Sequence, residues 1–349
     1  MALQTAAQTQ YAIRNISWES TASYDIGIDM AFFQDRLSFE FDYYEKTTSD
    51  MLLPLEIPDF IGFDNPDQNT GKMSTKGWET LLSYRNKVGQ FNYSISANLS
   101  DFNSVMGDLG GIQFLGSQIK KEGSEFNEWY GYVSDGLFQT QSELDESAVL
   151  NSNVKVGDIK YVDISGPNGE PDGVISPEYD RVLLGGSLPR FMYGANLNVS
   201  YKSFDLGIVI QGVGKQNSLI TEDMVQPFYA GWGNVPALLE GNYWSHYNTD
   251  EQNLNAKYPL VSNAGRTINT QMSDYWLFNG KYMRLKALTL GYTIPSVFTQ
   301  KIKISNARVY SSLNDLFTIS NYPKGWDPEV SSTGYPITTS VLFGLSVQF

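Results

Sequence analysis

The last ten residues, SVLFGLSVQF at positions 340–349, put Val341, Phe343, Leu345, Val347 and Phe349 on one face. Ser340, Gly344, Ser346 and Gln348 fall on the other, with Leu342 the exception. A period of two with one apolar face marks a strand whose two sides meet different surroundings. The same pattern places Tyr193, Ala195, Leu197, Val199 and Tyr201 against Gly194, Asn196, Asn198 and Ser200. It recurs in Phe91, Tyr93, Ile95, Ala97 and Leu99 against Asn92, Ser94, Ser96, Asn98 and Ser100, and in Leu37, Phe39, Phe41 and Tyr43. These runs exceed the ~5–6 residues of an ordinary strand. They match the roughly 9–11 residues a tilted strand needs to cross hydrocarbon. Aromatics near the ends of an apolar face, such as Tyr193 and Tyr201, suit the girdles at membrane interfaces.

Working outward, nine strands are predicted at roughly 18–33, 36–50, 72–86, 90–105, 188–201, 204–214, 280–294, 304–318 and 337–349. Short connections fall at Gln34-Asp35, Asn86 to Gly89, Lys202-Ser203 and Pro295 to Lys303. Long ones fall at 51–71, 106–187, 215–279 and 319–336. Strict alternation of short and long predicts an all-β fold, an antiparallel transmembrane β-barrel with short periplasmic turns and long extracellular loops. Bacterial single-chain barrels have even strand numbers. Nine strands therefore predict that residues 1–349 are a barrel cut partway round. Polar Gln4 and Thr5 stand near Met1 in place of the basic and apolar regions of a cleavable signal, which fits the same expectation.

The formal net charge of −14 argues against nucleic acid, whose phosphates need a basic surface. The chain has no Cys, so it carries no disulfide framework, and its single His, His246, makes a Ser-His-Asp triad or a zinc site a poor expectation. No apolar run approaches the ~20 residues of a membrane helix. Pairs of acids for glycosidase chemistry carry no information among 38 acidic residues. The alternatives are an outer-membrane enzyme or adhesin on a smaller closed barrel, and a soluble or surface β-rich carbohydrate-binding protein. The last predicts shorter strands and no outward apolar band.

Lys281 to Pro295 reads KYMRLKALTLGYTIP, and Arg308 to Tyr322 reads RVYSSLNDLFTISNY. They resemble the YLRLKNLTLGYTLP and RVYVSGNNLFTITNY segments of SusC/RagA-like TonB-dependent transporters. Gly325 to Val330, GWDPEV, resembles GYDPEV. Trp18 to Thr21, Gly77 to Glu79, GDIKYVD at Gly157 to Asp163 and IQGVGK at Ile210 to Lys215 match in order. The resemblance implies that residues 1–349 are the C-terminal part of a 22-stranded outer-membrane barrel, with no plug domain in this chain, the plug lying N-terminal in the family. It implies import of oligosaccharides or peptides, a SusD-like lipoprotein partner, energy supplied through TonB, and no enzymatic activity.

Two groups of residues are candidate sites. Asp163 to Arg181, DISGPNGEPDGVISPEYDR, resembles a calcium loop with oxygen ligands and permissive glycines. Asp163, Ser165, Asn168, Asp172 and Asp180 are the candidate ligands for Ca²⁺; the alternative is a Gly/Pro/Asp turn that needs no metal. Loop aromatics Trp129, Tyr130, Tyr132, Trp232 and Trp244 are candidates to stack on a ligand or anchor a partner. Their alternative is packing of the loops against themselves. Asp205, Gln211, Arg284, Lys286, Arg308 and Asn314 are expected to face the lumen.

Overall fold

The alternating segments pair in sequence order. The structure, a computed structural model, describes residues 16–54, 65–220, 235–262, 267–331 and 334–349. Nine long strands form one antiparallel sheet: β1 (Ser20–Phe32), β2 (Leu37–Pro54), β3 (Asp67–Val88), β4 (Phe91–Met106), β5 (Arg190–Tyr201), β6 (Phe204–Lys215), β7 (Tyr282–Thr293), β8 (Asn306–Ser320) and β9 (Ser340–Gln348). Each strand neighbours the next, and β1 and β9 are the two edges.

The register carries each face across the sheet. Ile28, Phe41, Thr80, Leu99, Tyr193, Gly212, Met283 and Ile319 form one row. Arg85, Ser94, Asn198, Gly207, Thr289, Ser312 and Leu342 form a row on the opposite face. Leu342, the exception in the terminal strand, thus sits at the end of a polar row. The apolar face is bare of protein: Ile26 is 71% exposed, Phe343 84% and Phe349 90%, with Ile95, Leu290 and Ile319 exposed alongside. Apolar patches beyond a few hundred Å² mark an interface, and here the band runs across the nine strands. Aromatic rings close it at the short-turn end, where Phe91 meets Tyr93 at 5.5 Å and Phe204 meets Tyr292 at 4.8 Å.

Tight turns explain the register. Phe33, Gln34 and Asp35 all take left-handed backbone between β1 and β2, as does Lys202 between β5 and β6. Three tyrosines lie over cross-strand glycines: Tyr44 on Gly77, Tyr193 on Gly212 and Tyr310 on Gly344. A side chain at any of these glycines would overlap the ring.

One expectation needs correction. Residues 51–71 were expected to form a loop, yet β2 and β3 run for 18 and 22 residues and stay paired out to Pro54 and Asp67. Bulges around Asp50 and Met51 interrupt the ladder without ending it. The extension persists because Leu53, Met106 and Leu109 are buried together against Met51, Met73 and Phe126.

The described residues of the two long connections, 107–189 and 216–281, build a cap at the opposite end from the tight turns. It contains a four-stranded sheet, two-stranded pairings of Ser134–Leu137 with Ile159–Tyr161 and of Asn217–Leu219 with Leu277–Asn279, and the helices α1 (Gln141–Glu146) and α2 (Asp250–Leu254). Thr140 caps α1 and a Thr249–Gln252 capping box opens α2. The core of the cap is Tyr132, Phe138, Ile159, Tyr161, Ile220, Trp244 and Trp276 with their neighbours. No helix among the described residues is long and apolar enough to cross a membrane.

Candidate functional site: the lumen wall and its extracellular cap

On the polar face a charged cluster ties the last long connection to the sheet. Arg284 is 2% exposed. Its Nη2 donates to Asp327 Oδ1 at 2.6 Å, its Nε donates to Thr318 Oγ1 at 2.7 Å, and Nη1 lies 3.3 Å from Glu329 Oε2. Lys286, brought alongside by the bulge between Leu285 and Ala287, pairs with Asp315 at 2.5 Å and with Glu329 at 3.4 Å. Gln211 Nε2 donates to Glu329 Oε1 at 3.2 Å. The GWDPEV segment is therefore folded back onto β6, β7 and β8. Nearer the tight turns, Arg308 makes a bidentate pair with Asp205, with Nε donating at 2.9 Å; at the height of the cluster, Asn314 donates to Ser340. The six expected lumen residues share one face, and five of them join these two ion-pair groups.

Below the cluster the polar face lines a cavity of about 780 Å³, with Arg36, Arg85, Asn92, Asn196, Asn198 and Arg308 among its walls. In the cap, a second open cavity of about 620 Å³ lies between the two loops, walled by Asp135, Glu143, Lys257, Tyr258, Tyr275 and Phe278. Lys160 bridges Asp135 and Glu143 at 3.1 Å each. Burial pushes the Glu143 carboxyl up, but the Gln139 N–H and the Lys160 ammonium outweigh it and hold it below the ordinary range. The Glu143 carboxylate in turn holds the Lys160 ammonium above its ordinary value. Burial drives the Tyr161 phenol far up; its hydroxyl donates to the Ile268 carbonyl.

The sequence candidates divide. Tyr132 and Trp244 are 3% exposed and belong to the core of the cap, so their rings have no face left for a ligand. The Trp129 indole donates to the Asn217 carbonyl at 2.9 Å and joins the two loops. Tyr130 is half-buried beside Phe114 and under the Arg181 guanidinium. Trp232 lies outside the described residues. Tyr132 and Trp244 thus pack inside the cap, while Trp129 and Tyr130 are partly exposed.

In the loop at 163–181, Asp180 is fully buried. Its carboxylate accepts from the N–H groups of Ile164, Ser165 and Ser176. Asp163 Oδ2 accepts from Gly173 N–H at 2.6 Å, while its Oδ1 is buried with no hydrogen-bond donor. Asp172 accepts from Val174 N–H, and Asn168 lies in the exposed turn closed by Gly169 N–H on Gly166. Ser165 enters through its backbone alone. Among the described residues no three His, Cys, Asp or Glu side chains converge as a metal cluster. The hub that sequence reading missed is Asn269, whose Nδ2 donates to buried Asp158 and whose Oδ1 accepts from Ile159 N–H, clamping the two loops together. Nothing in the spacing of residues 158 and 269 announces that pair.

A one-sided cap over a polar lumen wall, with a bare apolar band outside, defines the wall and extracellular face of an outer-membrane β-barrel. Residues 3–316 match the family described as TonB dependent receptor-like, beta-barrel. TonB-dependent receptor P3 of Formosa agariphila is 32% identical over 337 residues, covering 93% of this chain and 32% of that protein. TonB-dependent receptor SusC of Bacteroides thetaiotaomicron is 26% identical, covering 96% of this chain and 32% of that protein. A chain in the structure of the RagAB peptide transporter superposes with a TM-score of 0.74 at 24% identity, over 95% of this chain and 36% of that one. The chain belongs to the TonB-dependent receptor-like β-barrel family, which places it in the outer membrane. It spans about a third of the length of the relatives it matches.

Proposed function

We propose that this chain supplies wall strands and extracellular loops to an importer of oligosaccharides or peptides. In this reading it pairs with a SusD-like surface lipoprotein, and a TonB-driven plug carried by another part of the protein opens the passage. The nine strands are then one part of a closed barrel, and further strands pair with the β1 and β9 edges, because lipid cannot satisfy open edges. The observation that carries the reading is the cap itself: two long loops packed on a shared core at one end of a polar wall. Likeness to a chain of a peptide transporter supports the peptide class, and the resemblance of the sequence segments supports oligosaccharides beside it. Uptake of labelled maltooligosaccharides and of mixed oligopeptides by cells carrying the full-length protein, with and without TonB, tests it. TonB-dependent uptake of either supports the proposal; uptake of neither removes these substrates.

Calcium in the loop at 163–181 belongs to the same proposal, supported by the buried, donorless Asp163 Oδ1. Calorimetric titration of Ca²⁺ into the full-length protein, with Asp163→Asn as control, tests it. The proposal expects heat that the variant loses; no heat in either protein removes calcium.

A further inference from the structure

We propose that the short turn between β7 and β8 is a membrane anchor that reads anionic phospholipid in the periplasmic leaflet. The turn contains α3 (Ser296–Thr299) and one 3-10 turn, Gln300–Ile302. Its backbone is fixed. Phe298 N–H donates to Pro295, Lys303 N–H to Gln300, Ile304 N–H to Thr299 and Ile294 N–H to Ala307. Thr299 and Ala307 are buried where the helix packs against β8. Yet Val297, Phe298 and Ile302 are 68%, 63% and 67% exposed. A well-ordered turn that holds three large apolar side chains away from the protein is built to put them into something else.

Two observations identify that partner as lipid. The turn follows Tyr292 in the chain, and the Tyr292 ring packs on Phe204 at the aromatic border of the apolar outer face. Charge supplies the second. The chain is strongly acidic, and residues 107–189 alone carry 14 of its 38 acids against five of its 24 bases. The four tight turns invert this balance. Arg36 and Lys87 there line the lumen cavity, and Lys202, Lys301 and Lys303 remain, with Asp35 as the one acid of the four turns. Lys202 lies over the Tyr201 ring, and Lys301 and Lys303 flank Ile302 within the turn. Apolar side chains beside lysines are the composition of an interfacial segment, with stems in the acyl boundary and ammonium groups at lipid phosphates.

This chain has no cysteine, so a single engineered thiol in it is a clean probe. Val297→Cys and Ile302→Cys would each be spin-labelled in the full-length protein with any other thiols removed. The protein would be reconstituted into phosphatidylethanolamine vesicles with or without phosphatidylglycerol. Collision with oxygen and with a water-soluble nickel chelate then reports depth. The proposal expects both labels to be open to oxygen and shielded from nickel. It also expects them to lie deeper with phosphatidylglycerol, and that gain to be lost in Lys301→Gln/Lys303→Gln. Labels open to nickel, or closed to both reagents because protein covers them, would overturn it. So would depth indifferent to phosphatidylglycerol and to the lysines. Unchanged heat-modifiability on a gel confirms that each variant has folded.

Discussion

The guanidinium of Arg284 reaches across 43 residues of chain to the Asp327 carboxylate at 2.6 Å, in a site sealed from solvent by the segment it holds. Removing one partner of a buried ion pair leaves the other charge uncompensated and costs roughly 3–5 kcal/mol. Arg284→Met strands the carboxylates of Asp327 and Glu329 with Lys286 alone. Hydrogen exchange of residues 321–331 in the full-length protein is expected to accelerate strongly in Arg284→Met and in Asp327→Leu. The double variant should recover part of the protection, because it removes both charges at once. Unchanged exchange in the single variants would show that the pair does not hold the segment.

Tyr44 lies on Gly77 from the adjacent strand and occupies the space a side chain would need. Gly77→Ala must push the ring aside, and overpacking of this kind costs about 1–3 kcal/mol. Adding Tyr44→Ala to Gly77→Ala should cost less than the two single changes summed, since the residues are in contact. Gly111→Ala, where nothing lies within 4 Å of the added carbon, is the neutral control. The urea midpoint for refolding of the full-length protein into detergent measures all four.

Strands were legible in the sequence because each needs only its own alternation, and alternation is local. Val341 to Phe349 shows its faces without any partner. The cap was not legible, because its core forms between residues far apart: Trp244 packs on Gly157, and Asn269 bonds Asp158. An aromatic in a long loop looks the same in sequence whether it faces a ligand or a core, so Tyr132 and Trp244 could not be separated from surface candidates. Arg284 was legible as a lumen residue from its place in β7. Its partner Asp327 was visible only as part of a motif, because the bend that returns residues 321–331 to the wall follows from the ion pairs themselves. The extension of β2 and β3 was hidden by Pro54 and Gly71, turn residues that here sit within a bulged ribbon.

Gly157 has φ +92°, and the Trp244 indole lies against its open face. Any side chain there meets both problems. Left-handed or unusual backbone costs roughly 1–3 kcal/mol for a residue other than glycine, and overlap with a buried ring adds about as much. Gly157→Ala should therefore loosen the cap nearly as far as Trp244→Ala, whose lost packing costs about 3–5 kcal/mol. Limited proteolysis of the full-length protein is expected to cut within 107–189 in both variants and leave the barrel heat-modifiable. Cleavage rates equal to the parent protein would remove Trp244 on Gly157 as the keystone of the cap.

Two carboxylates in the cap should respond to pH in opposite directions. Glu143 is held below its ordinary value of 4.5, so its tether to Lys160 is in full force above that value and is lost as the pH falls through the lowered one. Lys160 is held above 10.5, so its side of the tether fails only as the pH rises through that raised value. Glu128 behaves otherwise. Burial raises its carboxyl above 4.5; the Glu125 N–H partly counters this, and the neighbouring Glu125 charge adds to it. Its contribution is therefore greatest in acid and is lost as the pH rises through its raised value. Between about pH 3 and pH 7, protection of residues 141–146, corrected for intrinsic exchange, should rise while that of residues 125–128 falls. Lys160→Gln should flatten the first trend at a cost of about 0.5–1 kcal/mol, in keeping with a partly exposed ion pair. Glu128→Gln should flatten the second and leave the first unchanged. Parallel trends at the two places would mean that one global opening of the cap, rather than these two carboxylates, sets its response to acid.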